Sequence, residues 1–139
     1  ERALRVVYKD ENLTYEQLLE KDESFTIHER NLQKLALLMY KVKHGLCPTP
    51  VQEIFTPLQQ DANLRGDRNG DWVIPRAESV NYGIETLRYR GPITWNLLPN
   101  DLKNTPSLEA FKAKITKWKP LGCKCRLCKT YIRDLGFLD

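Results

Sequence analysis

The apolar positions of this chain recur mostly at the three-to-four spacing of an α-helix, which predicts several short helices and one long one. Ala3, Leu4, Val7 and Tyr8 mark one side of a first helix over residues 1–9. Thr14 followed by Gln17 has the form of a capping box, and Tyr15, Leu18 and Leu19 then give a short amphipathic helix. Thr26 followed by Glu29 repeats that signal. It opens the longest segment, Ile27 to His44, stopped by Gly45 and then Pro48. Leu35 to Tyr40 is apolar on every side of a helix, so this segment is expected to form the buried centre of the fold. Pro50 suits the first turn of a short helix through Phe55.

The middle of the chain breaks the pattern. Residues 57–71 are polar and contain Asn69-Gly70, which reads as an exposed loop. Trp72 to Ile74 and Gly83 to Tyr89 are expected as two short strands of a hairpin-like element. Gly91-Pro92 punctuates the start of a helix over Ile93 to Leu98, ended by Pro99. Thr105, with Pro106 at the first helical position, predicts a last helix through Trp118 with Leu108, Phe111, Ile115 and Trp118 as its apolar stripe. The expected fold is mainly α, with about five helices around a central buried helix (27–44) and a small β-hairpin-like element in the middle. It divides into a helical domain, 1–118, and a basic cysteine-containing tail, 119–139.

Charge sharpens that division. From Ala110 to Arg133 there is no acidic residue and there are eight basic ones: Lys112, Lys114, Lys117, Lys119, Lys124, Arg126, Lys129 and Arg133. The other 115 residues hold 14 basic and 18 acidic side chains, so a net charge of +4 conceals a slightly acidic body and a strongly basic end. A one-sign basic run suits a polyanion, most often nucleic acid. Lys117, Lys119, Lys124, Arg126, Lys129 and Arg133 are the candidate phosphate contacts, with Arg65 and Arg68 in the loop, while Tyr131 and Trp118 have the ring faces that stack on unpaired bases. The plainer reading is a solvated basic surface. For Lys112, Lys114 and Lys119, which flank the apolar stripe, it is stems that cover a core edge while the heads reach water.

Three of the four cysteines lie inside the basic run, as C-x-C-x-x-C at Cys123, Cys125 and Cys128. Zinc in a structural site takes four ligands and favours thiolates, so these three are candidate ligands. No fourth ligand is local. The histidines are His28 and His44, and His44, Cys47, another chain or residues following Asp139 in a longer polypeptide would have to complete the site. Reduced thiols near the end of the sequence are the bland alternative, and an intracellular setting fits either. No apolar run approaches a membrane span, and the charged, helical start does not have the form of a signal peptide. The absence of an initiating Met suggests a piece of a longer polypeptide. No Ser or Cys has a base placed beside it and no glycine-rich phosphate loop is present. Trp72, Tyr82, Tyr89 and Trp95 read as core filling against Leu35, Leu38 and Met39 rather than as a stacking platform.

Five stretches occur in a particular order: ERALRVVYKD, TIHERNLQKLALLMYKVKHGLCP, VIPRAESVNYGIETLRYRGPITWNLLP, SLEAFKAKITKWKP and CKCRLCKTYIRDLGF. Together, over nearly the whole chain, they resemble the region after the polymerase core in reverse transcriptases of non-LTR retrotransposons of the jockey-like LINE group. The resemblance implies a parent RNA-directed DNA polymerase, usually with an apurinic-type endonuclease upstream. That polymerase would use Mg held by paired aspartates. The aspartates here are all separated, so no catalytic residue is carried over. Residues 1–55 would correspond to thumb-like helices behind the palm, and the segment would be a non-catalytic region contacting template RNA or target DNA through its tail. The alternative is an interaction module that docks on the parent polymerase without touching nucleic acid. Either would act in the nucleus or cytoplasm and not at a membrane. The family usually has a small residue or Pro where this chain has Cys47 and Lys124, which weakens Cys47 as a family-wide metal ligand.

Overall fold

The computed structural model describes residues 2–9, 12–58, 72–77, 79 and 83–120. Among the described residues the chain is mainly α. It has seven α-helices: α1 (Arg2–Tyr8), α2 (Tyr15–Lys21), α3 (Ile27–Lys43), α4 (Thr49–Gln52), α5 (Leu87–Asn96), α6 (Asn100–Lys103) and α7 (Leu108–Ile115). A 3-10 turn, Gly83–Glu85, precedes α5. Two compact units divide the molecule. One is Leu32–Trp118, and the other takes in the described residues up to Asn31 with Lys119 and Pro120. The boundary falls inside α3.

Both capping boxes form. The Thr14 hydroxyl accepts from the Gln17 amide while the Gln17 side chain accepts from the Thr14 amide at 2.9 Å. Thr26 and Glu29 repeat the exchange, with the Thr26 amide 2.8 Å from the Glu29 carboxylate. Each box satisfies two amides that a helix start otherwise leaves unpaired.

In the N-terminal unit α1 and α2 pack together. Tyr8 donates its hydroxyl to Asp22 at 3.0 Å, and the Lys21 ammonium lies 5.0 Å from the Tyr8 ring centre. The hydrogen bond to Asp22, then burial and the Asp22 charge, hold the Tyr8 phenol above its ordinary value. Leu18 and Leu19 are buried, as the periodicity predicts. The predicted side of α1 is only half right: Leu4 and Tyr8 are half-buried, but Ala3 and Val7 are exposed beside Val6. A seven-residue helix is too short for four apolar positions to define a face securely.

The Leu32–Trp118 unit has an aromatic centre. Tyr40 of α3 stacks on Phe111 of α7 with ring centres 4.4 Å apart, and Trp95 of α5 lies 6.2 Å from Phe111. Ala36, Met39, Val42, Phe55, Trp72, Leu98, Leu102 and Ile115 complete the core. The Tyr40 hydroxyl, otherwise stranded in this apolar setting, donates to the Thr105 carbonyl at 3.0 Å. α3 is thus the central element that the sequence predicts. It ends one residue earlier than expected, at Lys43, with Gly45 in the left-handed region (φ +66°).

The hairpin-like element is not formed. Among the described residues the only β pairing is an isolated antiparallel bridge between Pro57 and Trp72. Gly83 to Tyr89 instead runs through the 3-10 turn into α5, and Gly91-Pro92 lies inside that helix rather than ahead of it. Packing overrides local preference here. Tyr89, Gly91, Pro92, Ile93, Thr94 and Trp95 are all buried, which a helix crossing α3 achieves and an alternating strand does not. Gly91 allows the close crossing. A Cβ there would meet the Met39 sulfur at 2.8 Å and the Phe55 ring at 2.9 Å. Pro92 costs one helical hydrogen bond, the one its missing N–H would give to Arg88. α7 also starts later than predicted, with Ser107 as N-cap accepting from the Ala110 amide, so Pro106 lies outside the helix.

The predicted loop keeps a closed base. The Val73 amide bonds the Thr56 carbonyl at 2.9 Å, and the Asn96 side chain bonds both the amide and the carbonyl of Trp72, at 3.0 and 2.9 Å. The loop residues between them, 59–71, lie outside the described residues.

Candidate nucleic-acid interface

α7 is where the basic run begins, and its placement follows from its sequence. Phe111 and Ile115, four apart, are buried in the core, and Leu108 and Trp118 pack against it. The outward positions Lys112, Ala113, Lys114, Thr116 and Lys117 are all exposed. Lys112, Lys114 and Lys117 make no ion pair with a described residue. Glu109, the one acid of the helix, sits in its first turn, where the helix dipole favours a negative charge.

The far end of α7 is tied down by a residue the sequence reading passed over. Gln33 of α3 is buried, and its side-chain amide donates to the Trp118 carbonyl at 2.9 Å and to the Thr116 carbonyl at 3.4 Å. Thr116 is the C-cap of α7 and Trp118 lies just beyond it, so this amide serves carbonyls that the helix itself does not pair. The signal was available. Gln33 lies three residues before Ala36 and seven before Tyr40, a polar side chain in phase with the buried face of α3.

The candidates from the sequence separate into three groups. Lys117 and Lys119 are described and exposed. Lys124, Arg126, Lys129 and Arg133, the thiols of Cys123, Cys125 and Cys128, and Arg65, Arg68, Tyr82 and Tyr131 all lie outside the described residues. The rings are mostly committed to the core: Trp72, Tyr89 and Trp95 are buried and Trp118 is half-buried against the same cluster; of their expected partners Met39 belongs to that core, whereas Leu35 and Leu38 are only half-buried. Arg88 and Arg90 belong to α5, Arg88 exposed and Arg90 half-buried.

His44 is exposed beyond α3, with its ring 4.2 Å from that of Tyr40, and Cys47 is half-buried against the core. Among the described residues no group of three or more His, Cys, Asp or Glu side chains is placed to hold a metal ion. Among them, too, no helix is long and apolar enough to cross a membrane. Among the described residues, the buried polar atoms without a hydrogen-bond partner include the Trp72 indole N–H and the Tyr89 hydroxyl. Burial holds the Tyr89 phenol above its ordinary value. Set against protein-family models, curated proteins and solved structures, the chain matches none of them.

Proposed function

We propose that this chain is the non-catalytic C-terminal region of a retroelement RNA-directed DNA polymerase, and that it grips template RNA or target DNA through its basic end. The polymerase parent rests on the resemblance of the five ordered stretches, and one observation carries the nucleic-acid part of the reading: the uninterrupted positive run from Lys112 to Arg133, with eight cations and no acid, on a chain whose remainder is slightly acidic. The exposure of Lys112, Lys114, Lys117 and Lys119 supports it. Phosphates attract such a run whatever the base sequence, and the release of their counterions makes the binding fall steeply with salt. Bond-making would belong to the parent polymerase and its Mg. Structural zinc on Cys123, Cys125 and Cys128 is a subsidiary proposal. A zinc stoichiometry well below one per chain, read by mass spectrometry of the purified protein, would remove it.

The test is the salt dependence of binding to single-stranded RNA. With about four phosphates engaged, the log–log slope is about −3. Reversing the charge of Lys124, Arg126 and Lys129 weakens binding and leaves the fold intact. A flat salt response, or no binding at low ionic strength, ends this reading.

A second reading rests on a different observation. Val6 and Val7 of α1 are 75% and 68% exposed, and Ile27 at the start of α3 is 76% exposed. Apolar side chains held in water suit docking on the parent polymerase, with the basic end incidental. On that reading Val6→Ser with Val7→Ser weakens association with the parent polypeptide, and the charge reversals leave nucleic-acid affinity unchanged.

A further inference from the structure

The lysines of α7 do not share one edge. At about 100° per residue, Lys112 and Lys114 stand about 160° apart around the helix axis. The buried stripe of Phe111 and Ile115 lies between them on one side, and Ala113 on the other. The solvent face of α7 is therefore a ridge: Ala113 and Glu109 along the crest, Lys112 on one flank, Lys114 on the other and Lys117 in the closing turn, between the crest and the Lys114 flank. All five residues are exposed and the three ammonium groups are unpaired among the described residues. Ser107 caps one end of the helix and Gln33 holds the other, so the ridge keeps its shape without a ligand.

We propose that α7 is a contact surface for duplex DNA, seated in the major groove with Lys112 facing one phosphate wall and Lys114 and Lys117 the other. This rests on the nucleic-acid reading above but uses none of the tail residues. A single strand laid along α7 has one backbone and meets one flank. A groove has two walls and meets both. The B-form major groove is about 12 Å wide and admits a helix, and eight residues of helix are about 12 Å long. The corresponding groove of an RNA duplex is too deep and narrow to admit one. Between the two flanks the small side chains Ala113 and Thr116 share the crest with Glu109, whose carboxylate would face the groove floor rather than either wall. The crest offers little to read base edges with, so the contact positions the duplex without selecting its sequence. Glu109 opposes phosphate and is a surface neighbour of Lys112 and Ala113, so the net charge the ridge offers is +2 from three lysines and one carboxylate.

The experiment uses the full chain and fluorescence anisotropy, with a duplex DNA of about two turns and a single-stranded RNA of the same length as probes. Three variants are compared: Lys112→Gln, the pair Lys114→Gln with Lys117→Gln, and the tail control Lys124→Gln with Arg126→Gln and Lys129→Gln. Circular dichroism verifies that each is folded. On duplex DNA, Lys112→Gln lowers the log–log salt slope by about 0.9 and the Lys114/Lys117 pair by about 1.8, one phosphate per lysine. On single-stranded RNA the two α7 variants do not both lose affinity. The proposal is overturned if Lys112→Gln leaves the duplex slope unchanged, or if both α7 variants weaken the RNA as much as the duplex. If only the tail control loses binding, α7 is excluded and the tail reading stands. If the unmutated chain binds neither probe, both fall.

Discussion

The two units of this protein solve the same problem with unequal means. Leu32–Trp118 closes three helices on a stacked set of rings, Tyr40, Phe111 and Trp95, each almost wholly buried. The N-terminal unit has two seven-residue helices, two buried leucines, and an α1 that leaves Val6 and Val7 in water. Local devices carry more of its order: a capping box, a Tyr8–Asp22 hydrogen bond and a chain reversal at Glu23. Where buried area is large, individual side chains control stability; where it is small, backbone and capping details control it.

The sharpest way to break that contrast is Phe111→Ala. Phe111 is wholly buried and touches both other rings, so its loss removes transfer energy and opens a cavity together. The expected cost is about 3–5 kcal/mol, read by urea unfolding. A cost under about 1 kcal/mol would mean that the aromatic centre is not the keystone of its unit.

Gly91→Ala tests the α3–α5 crossing. Alanine favours a helix over glycine by about 1 kcal/mol, which taken alone predicts stabilisation. The new methyl would press on Met39, wholly buried, and on the Phe55 ring. Overpacking of that kind costs about 1–3 kcal/mol. The sum is a destabilisation of about 1 kcal/mol, and a stabilised variant would show that the crossing can relax.

That crossing also marks the limit of what the sequence told. Both capping boxes, the central helix, the Gly45 stop and the core roles of Trp72 and Trp95 were legible, because each depends on near neighbours or on periodicity. α5 was not. Gly83 to Pro92 carries a turn signal, an alternation and a helix-breaking dipeptide, and only contact with Met39 and Phe55 makes a helix the better solution. Gln33 and Asn96 were missed for a related reason. Their partners lie at Trp118 and Trp72, far along the chain, and only a polar side chain in a buried phase hinted at them. At the interface, the positive run was legible as charge, whereas the two-flanked arrangement of Lys112 and Lys114 needed the register of α7.

Tyr89→Phe changes sign relative to the two substitutions above. The Tyr89 hydroxyl is buried with no partner, so removing it relieves an uncompensated polar group. The expected gain is about 1 kcal/mol. The variant also alters the alkaline limb. The folded-state value of Tyr89 is raised above 10.0, so its neutral form is favoured in the fold. That contribution is intact below the unfolded value and is lost as pH climbs above it, because the unfolded chain ionises first. Tyr8, raised by Asp22, loses stability in the same direction. Unfolding followed from pH 9 upward should therefore decline more gently in Tyr89→Phe than in the parent. An equally steep decline would assign the loss elsewhere.

The smallest effects come from two helix ends that reverse the chain alike. After α3 the Leu46 amide reaches back to the Lys41 carbonyl at 2.8 Å around Gly45, and after α2 the Ser24 amide reaches back to the Leu19 carbonyl at 3.0 Å around Glu23. Both pivots are left-handed, with φ +66° at Gly45 and +51° at Glu23. Glycine takes that conformation freely, whereas a residue with a Cβ is strained by about 1 kcal/mol. A Cβ on Gly45 has nothing within 4 Å, so Gly45→Ala isolates the backbone cost, expected at about 1 kcal/mol. Glu23→Gly removes the strain at the matching place. The freer unfolded chain offsets part of the benefit, which leaves a gain of about 0.5 kcal/mol. Hydrogen exchange at the Ser24 amide reads it locally, where global unfolding is governed by the aromatic core. Opposite signs at the two pivots would show that the N-terminal unit tolerates at its turn a strain that the aromatic unit avoids, while equal signs would locate the control of these turns in the contacts around them.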